Sequence, residues 1–329
     1  MHGDKEAKIK IDEYREILNN FKKEMSKVIV GQESVIDGLL RAMLSKGHVL
    51  VEGIPGLAKT LIIKSLATIS GCDFKRIQFT VDLLPTDILG MTIYTKEKGF
   101  SIIKGPIFTN FILADEINRS PQKVQSALIE SMQERQVTIG GKTMILPKPF
   151  FVLATLNPIE TLGVYSLPEA QLDRFLFKLL IDYPKEKEEK DILEKNITIK
   201  DFEDYNLKEV ISGKKIIEMQ NFVKKVYVND DIKEYIVKLI NVTRRPNEYN
   251  LKYGKYISWG GSPRASIGLY IGSKANAILK GRFYVTPQDV KEIAHEVLRH
   301  RILLNYEGQV EGITSDMIIS EILSKIPIP

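Results

Sequence analysis

The stretch from Val49 to Ser65 constrains this chain more than any other. Val49-Leu50-Val51-Glu52 is a short apolar strand pattern, Gly53-Ile54-Pro55-Gly56 is a turn, and Leu57-Ala58-Lys59-Thr60-Leu61 runs into a helical pattern with Leu61, Ile62, Ser65 and Leu66 at helical spacing. A strand that turns through glycines straight into a helix aims free backbone N–H groups and the positive helix end at one point, which suits a phosphate chain. In that reading the backbone from Gly53 to Leu61 bends around the phosphates, Lys59 reaches the β- and γ-phosphates, and the Thr60 hydroxyl takes one position on Mg²⁺. Ala58 stands where a third glycine is usual. Right-handed helical dihedrals there keep the loop intact, with Gly53 and Gly56 supplying the unusual backbone angles. The plain alternative is a Gly/Pro turn followed by a surface lysine.

With 329 residues there is room for two domains and a large core, and 43% hydrophobic with 27% charged residues fits a soluble globular protein. The 47 basic and 42 acidic residues leave a net charge of +5 with no long basic block, so nucleic acid is allowed but not indicated. Met1 to Lys10 is charged throughout and does not read as a secretory signal, and no apolar run approaches the roughly 18 residues of a membrane span. A single cysteine, Cys72, fits a reducing cytoplasm. His2, His48, His295 and His300 lack carboxylate or thiol company at ligand spacing, so a metal site built by the protein alone is not expected.

Upstream, Ile9 to Lys27 has an amphipathic helical pattern, Val28 to Gln32 breaks it, and Glu33 to about Leu44 forms a second helix. The apolar Val28-Ile29-Val30 fits either a wall of an adenine pocket or a helix connection. Downstream, Phe74 to Phe79, Asn110 to Glu116, Phe150 to Thr155 and Phe175 to Ile181 read as further strands, the second and third of them buried. Two hairpins interrupt them, one over 91–104 and one around Gly140-Gly141. Asp115 and Glu116 end an apolar strand, and a carboxylate pair there is costly without work or partners. Holding Mg²⁺ is the work for Asp115, and polarising the attacking water is the work for Glu116. Asn157 ends the next strand, where it either orients that water or begins a turn.

Leu167 to Arg174 is a short helix ending in a base. From Lys185 only helical patterns follow, near 187–195, 214–226, 231–243, 263–280, 287–304 and 314–325. The domain division expected is therefore 1–184, a nucleotide-binding core with N-terminal helices, and 185–329, a helical lid. Ser262-Pro263 opens a helix with Arg264 in its first turn, where the helix dipole disfavours a cation. An anion should be near it: a phosphate held by the first domain, or an Asp or Glu of a neighbouring helix.

In order and spacing, Gly53 to Thr60, Asp82 to Gly90, Ala114 to Arg119, Ala154 to Pro158, Leu167 to Phe175 and Gly261 to Ala265 resemble an AAA+ ATPase, and more narrowly the MoxR family. The resemblance spans nearly the whole chain. It implies an α/β P-loop domain with a five-stranded parallel sheet, helices on both faces and inserted hairpins, followed by an all-helical lid. It implies Mg-ATP as cofactor, Asn157 as sensor 1, Arg264 as sensor 2, and Arg174 as the finger acting on a neighbouring subunit. Arg119 is a weaker candidate for an inter-subunit or phosphate contact. A homo-oligomeric ring, hexameric by resemblance, is implied with it, often beside a protein carrying a von Willebrand factor type A domain and a client complex to be matured or loaded with cofactor. Two rival readings share many of these motifs, an MCM-like helicase and a magnesium-chelatase-type motor subunit. Few bases on the hairpins, Lys142 on one and Lys96 and Lys98 beside Glu97 on the other, speak against the helicase.

Overall fold

The computed structural model describes residues 2–329 except 55, 98, 158–163 and 196–200, so Pro55, Lys98 and Pro158 lie outside the described residues. Helices α1 (His2–Met25) and α2 (Glu33–Leu44) precede strand β1 (Val49–Gly53), and α3 (Lys59–Ile69) leads to β2 (Phe74–Gln78). After α4 (Pro85–Leu89) come the hairpin β3 (Gly90–Thr95) and β4 (Gly99–Lys104), then β5 (Phe111–Asp115) and α5 (Gln122–Glu134). A second hairpin, β6 (Gln136–Ile139) and β7 (Lys142–Ile145), precedes β8 (Phe151–Leu156), α6 (Glu169–Leu172) and β9 (Phe177–Ile181).

The central sheet is parallel in the order β2-β5-β8-β1-β9. Its three middle strands are buried on both sides, so alternate apolar residues part to two cores. Val49, Val51, Phe111, Leu113, Phe151 and Leu153 face one core with α1, α2 and α3. Leu50, Ile112, Ala114, Val152 and Ala154 face the other with Val124, Leu128 and Met132 of α5. Full burial of each of the larger of these side chains, Val, Leu, Ile, Phe and Met, contributes roughly 1.5–3 kcal/mol. The first core continues into the second part of the chain, where α7 (Glu186–Lys195), α8 (Gly213–Val223), α9 (Asp230–Arg244), β10 (Ile257–Trp259), α10 (Pro263–Leu279), α11 (Pro287–Leu298), β11 (Leu303–Leu304), α12 (Tyr306–Val310) and α13 (Ser315–Lys325) follow.

Two details differ from the sequence reading. The lid is helical apart from a small antiparallel ribbon of β10 and β11. The helical pattern expected over 287–304 ends at Leu298, because His300 and Arg301 turn inward to bond the carbonyls of the segment before β9. Pro121 stands directly before the first residue of α5, and the Ser120 hydroxyl donates back to the Ile117 carbonyl (3.3 Å). Among the described residues no helix is long and apolar enough to cross a membrane.

Candidate active site

The phosphate loop lies at the carboxyl end of β1, the central strand but one of the sheet. Gly53 is required by close approach rather than by its dihedrals: a Cβ there would meet the Ile181 carbonyl oxygen at 2.7 Å. Gly56 has φ 86°, which favours glycine, and a Cβ there would find open space. Ala58 corrects an expectation. It is left-handed, φ 55° and ψ 22°, not right-handed helical. The chain needs that turn to swing Lys59 into α3, and an alanine in this conformation costs roughly 1–2 kcal/mol. The helix it opens has no acidic residue in its first turn and no side-chain cap, so its first N–H groups remain for an anion. Lys59 donates from Nζ to the Gly53 carbonyl (2.5 Å). Burial lowers its pKa, and Asp115, Glu116 and Glu52 pull the other way. Thr60, Leu57, Ile54 and Leu61 are partly exposed around it. Val28, Ile29 and Val30 line a pocket with Gly56, Leu57 and Ala58, placing the upstream apolar segment against the loop.

Asp115 and Glu116 lie at the carboxyl end of β5, two strands away. The buried Thr155 hydroxyl on β8 joins them: it donates to Asp115 Oδ1 (2.7 Å) and accepts from the Glu116 backbone N–H (2.8 Å). Arg76 donates from Nη2 to Asp115 Oδ2 (2.7 Å), and Gln78 donates from Nε2 to Glu116 Oε2 (2.8 Å). Arg119 lies 3.1 Å from the same Glu116 oxygen. Glu116 is itself left-handed, φ 55°, which re-aims its carboxylate off the strand. Gln125 of α5 fixes the turn behind it, donating to the Ile117 and Ser120 carbonyls (3.2 and 2.9 Å). Asn157 is buried directly after β8.

Arg174 and Arg264 are elsewhere. They line a cleft with Lys46, His48, Arg135 and Asp173, at the amino ends of β1 and β9. The phosphate loop is at the other end of β1, about 13 Å along the strand at the usual rise per residue. Arg264, expected near a phosphate or a carboxylate, has the carboxylate: its Nη1 is 3.6 Å from Asp173 Oδ2. The structure does not bring it to the loop of its own chain. Ser262 caps α10 as expected, accepting from the Arg264 N–H (3.1 Å), and its hydroxyl donates to Asp173 Oδ2 (2.8 Å).

Arg301, which drew no attention in the sequence, is almost wholly buried and makes five hydrogen bonds: to Asp173 Oδ1 and to the carbonyls of Asp173, Phe175, Leu176 and Val297. His48 is buried beside this cleft. Val152 N–H donates to its Nδ1 (3.0 Å), so Nε2 carries the proton donated to the Met132 carbonyl (3.1 Å). Burial first, then Arg135, push its pKa down to about 4.

Sequence reasoning passed over Arg76, Gln78, Thr155, Asp173 and Arg301 as site residues. A signal existed for the first pair: two polar side chains spaced by two on one strand share a face, and Gln78 is in register with Asp115. Thr155 interrupts an apolar strand in the same way.

The description of ATPases associated with various cellular activities matches residues 48–177, and that of the AAA lid domain matches residues 254–322. Fold and site thus define an AAA ATPase core with its lid. Chaperone MoxR1 of Mycobacterium tuberculosis is 44% identical over 93% of this chain and 81% of its own length. The uncharacterized protein YeaC of Bacillus subtilis is 45% identical over 95% of each. The crystal structure of a Cytophaga hutchinsonii protein assigned as an ATPase matches with a TM-score of 0.91 and 46% identity over the whole of both chains. The chain belongs to the MoxR family of AAA+ ATPases. Membership implies nucleotide binding, usually with Mg²⁺, and assembly into oligomers.

Proposed function

We propose that protomers associate head to tail into a ring of six, that Mg-ATP bound by one protomer is hydrolysed with arginines of the next, and that the ring remodels a client protein complex in the cytoplasm. One observation carries this reading: the carboxylates and phosphate loop stand at one end of the sheet and Arg174 with Arg264 at the other. A heterologous contact that repeats around a closed ring brings these opposite ends together.

The residues present fit the nucleotide. An uncapped α3 N-terminus, the open space at Gly56 and the Lys59 ammonium form a cradle for phosphates. Thr60 and Asp115 would hold Mg²⁺, which when bound neutralises charge between the β- and γ-phosphate oxygens. Glu116 accepts the proton of the attacking water, and its bonds to Gln78 and Arg119 hold the carboxylate in place until then. Asn157 orients that water. Arg174 supplies the cation that offsets charge growing in the transition state; such a finger is worth roughly 10³- to 10⁵-fold in GTPases. Arg264 is presented beside it, so both act on the neighbour's nucleotide rather than on the protomer's own.

The inserted hairpin exposes Tyr94 (64%) and Phe100 (80%), an apolar tip that suits a polypeptide client better than a nucleic-acid backbone. By family resemblance a von Willebrand factor type A domain protein works beside the ring. The test is mixing. Arg174→Ala and Lys59→Ala are each expected to be inactive, and mixed rings to recover hydrolysis, since one supplies the loop and the other the arginine. Mixed rings that form and stay inactive would rule out action in trans.

A further inference from the structure

The amino end of the sheet holds cations that the mechanism above does not use. Lys46, between α2 and β1, and Arg135, which ends α5, both have left-handed backbone, φ 57° and 53°, a conformation that costs any residue with a Cβ. They are tied together, Arg135 Nη2 donating to the Lys46 carbonyl (2.7 Å). Both are partly buried. Burial first, then the nearby Lys224, Arg135 and Lys148, hold the Lys46 ammonium below its ordinary pKa. Among the described residues no carboxylate lies within ion-pair distance of any of the four. The like charges of Lys46 and Arg135, gathered in partly dry, strained positions without a counter-ion, mark a place where an anion from outside would be welcome. Arg301 nearby is different: Asp173 and four carbonyls saturate it.

Lys46 and Arg135 line the 320 Å³ cleft that also holds Arg174 and Arg264. We propose that Arg135, with Lys46 beside it, is a further cation of the shared site, contacting the phosphates of the nucleotide bound by the neighbouring protomer. This rests on the reading that Arg174 and Arg264 face that nucleotide. The common cleft favours the neighbour's triphosphate over a nucleic-acid strand, and its small volume agrees.

The experiment uses the full chain with Arg135→Gln, Arg135→Lys and Arg135→Gly. Arg135→Gln is expected to bind Mg-ATP with unchanged Kd as a dilute protomer and to lose turnover by roughly 10- to 100-fold, the effect of one hydrogen bond to a charged group. Rings mixed with Lys59→Ala should regain activity, because that protomer carries an intact Arg135. Arg135→Lys should keep part of the turnover. Arg135→Gly relieves the left-handed backbone, so its Tm should hold or rise while turnover still falls. If Arg174→Ala is complemented and Arg135→Gln is not, Arg135 works within its own protomer and the inference fails while the trans reading stands. If neither is complemented, that reading fails first. Unchanged turnover in Arg135→Gln, or a loss confined to salt-dependent binding of a single-stranded 30-nucleotide DNA, would also overturn the assignment.

Discussion

The two ends of the central sheet treat charge in opposite ways. At the carboxyl end, Asp115 and Glu116 are served by donors of their own protomer: Thr155, Arg76, Gln78 and Arg119. At the amino end, Asp173 is shared by Arg301, Ser262 and Arg264, while Lys46 and Arg135 have no carboxylate among the described residues. In the proposed mechanism the first end takes the polyphosphate with its metal, and the other carries cations in excess of the anions its own protomer offers. On that reading, uncompensated charge is what marks the amino end as half of a shared site.

That contrast can be broken at several points. The largest effect is expected at the carboxyl end, where Glu116→Gln should keep Mg-ATP affinity yet reduce turnover by roughly 10²- to 10⁴-fold; isothermal titration beside a phosphate-release assay checks both halves. At the amino end, Asp173→Asn leaves Arg301 almost wholly buried without its carboxylate, and a destabilisation of about 3–5 kcal/mol is expected by urea unfolding. A loss under about 1 kcal/mol would mean the four carbonyls alone hold the guanidinium.

Acid should act chiefly on the amino end as well. The folded pKa of His48 lies near 4, below the ordinary 6.5 of an unfolded chain, so the neutral form is the one the fold keeps. Stability from this group is complete above pH 6.5, declines as pH falls through that value, and is gone below about 4; it amounts to roughly 3 kcal/mol. His300, held well below its ordinary range by burial and then by Arg301, adds in the same direction. Urea midpoints measured from pH 7 to pH 4.5 should fall, and His48→Gln should flatten the curve. The smallest effect concerns the phosphate loop: Ala58→Gly should raise stability by about 1 kcal/mol with unchanged nucleotide affinity, and a neutral result would deny the strain assigned to Ala58.

What could be read from the sequence was what is local. Strand, turn and helix around Lys59, the acid pair on β5, the two hairpins and the Ser262-Pro263 start of α10 each have a short-range signature in pattern or turn chemistry. What escaped depends on packing. Ala58 gives no sign of its handedness, because alanine suits the ordinary helical region best. The partner of Arg264 became visible only when β9 took its place beside β1 and brought Asp173 under α10. The ribbon of β10 and β11 has too few residues for a periodic pattern, and Arg301 looked like the tail of a helix until its carbonyl partners were in view.

Arg301 also ties mechanics to chemistry. It sits just beyond α11, and its bonds clasp the peptide groups on either side of Arg174. Any swing of the lid therefore drags that short segment along or strips a dry guanidinium of its acceptors. In the proposed ring the lid works as a lever whose short arm ends at the next subunit's fuel.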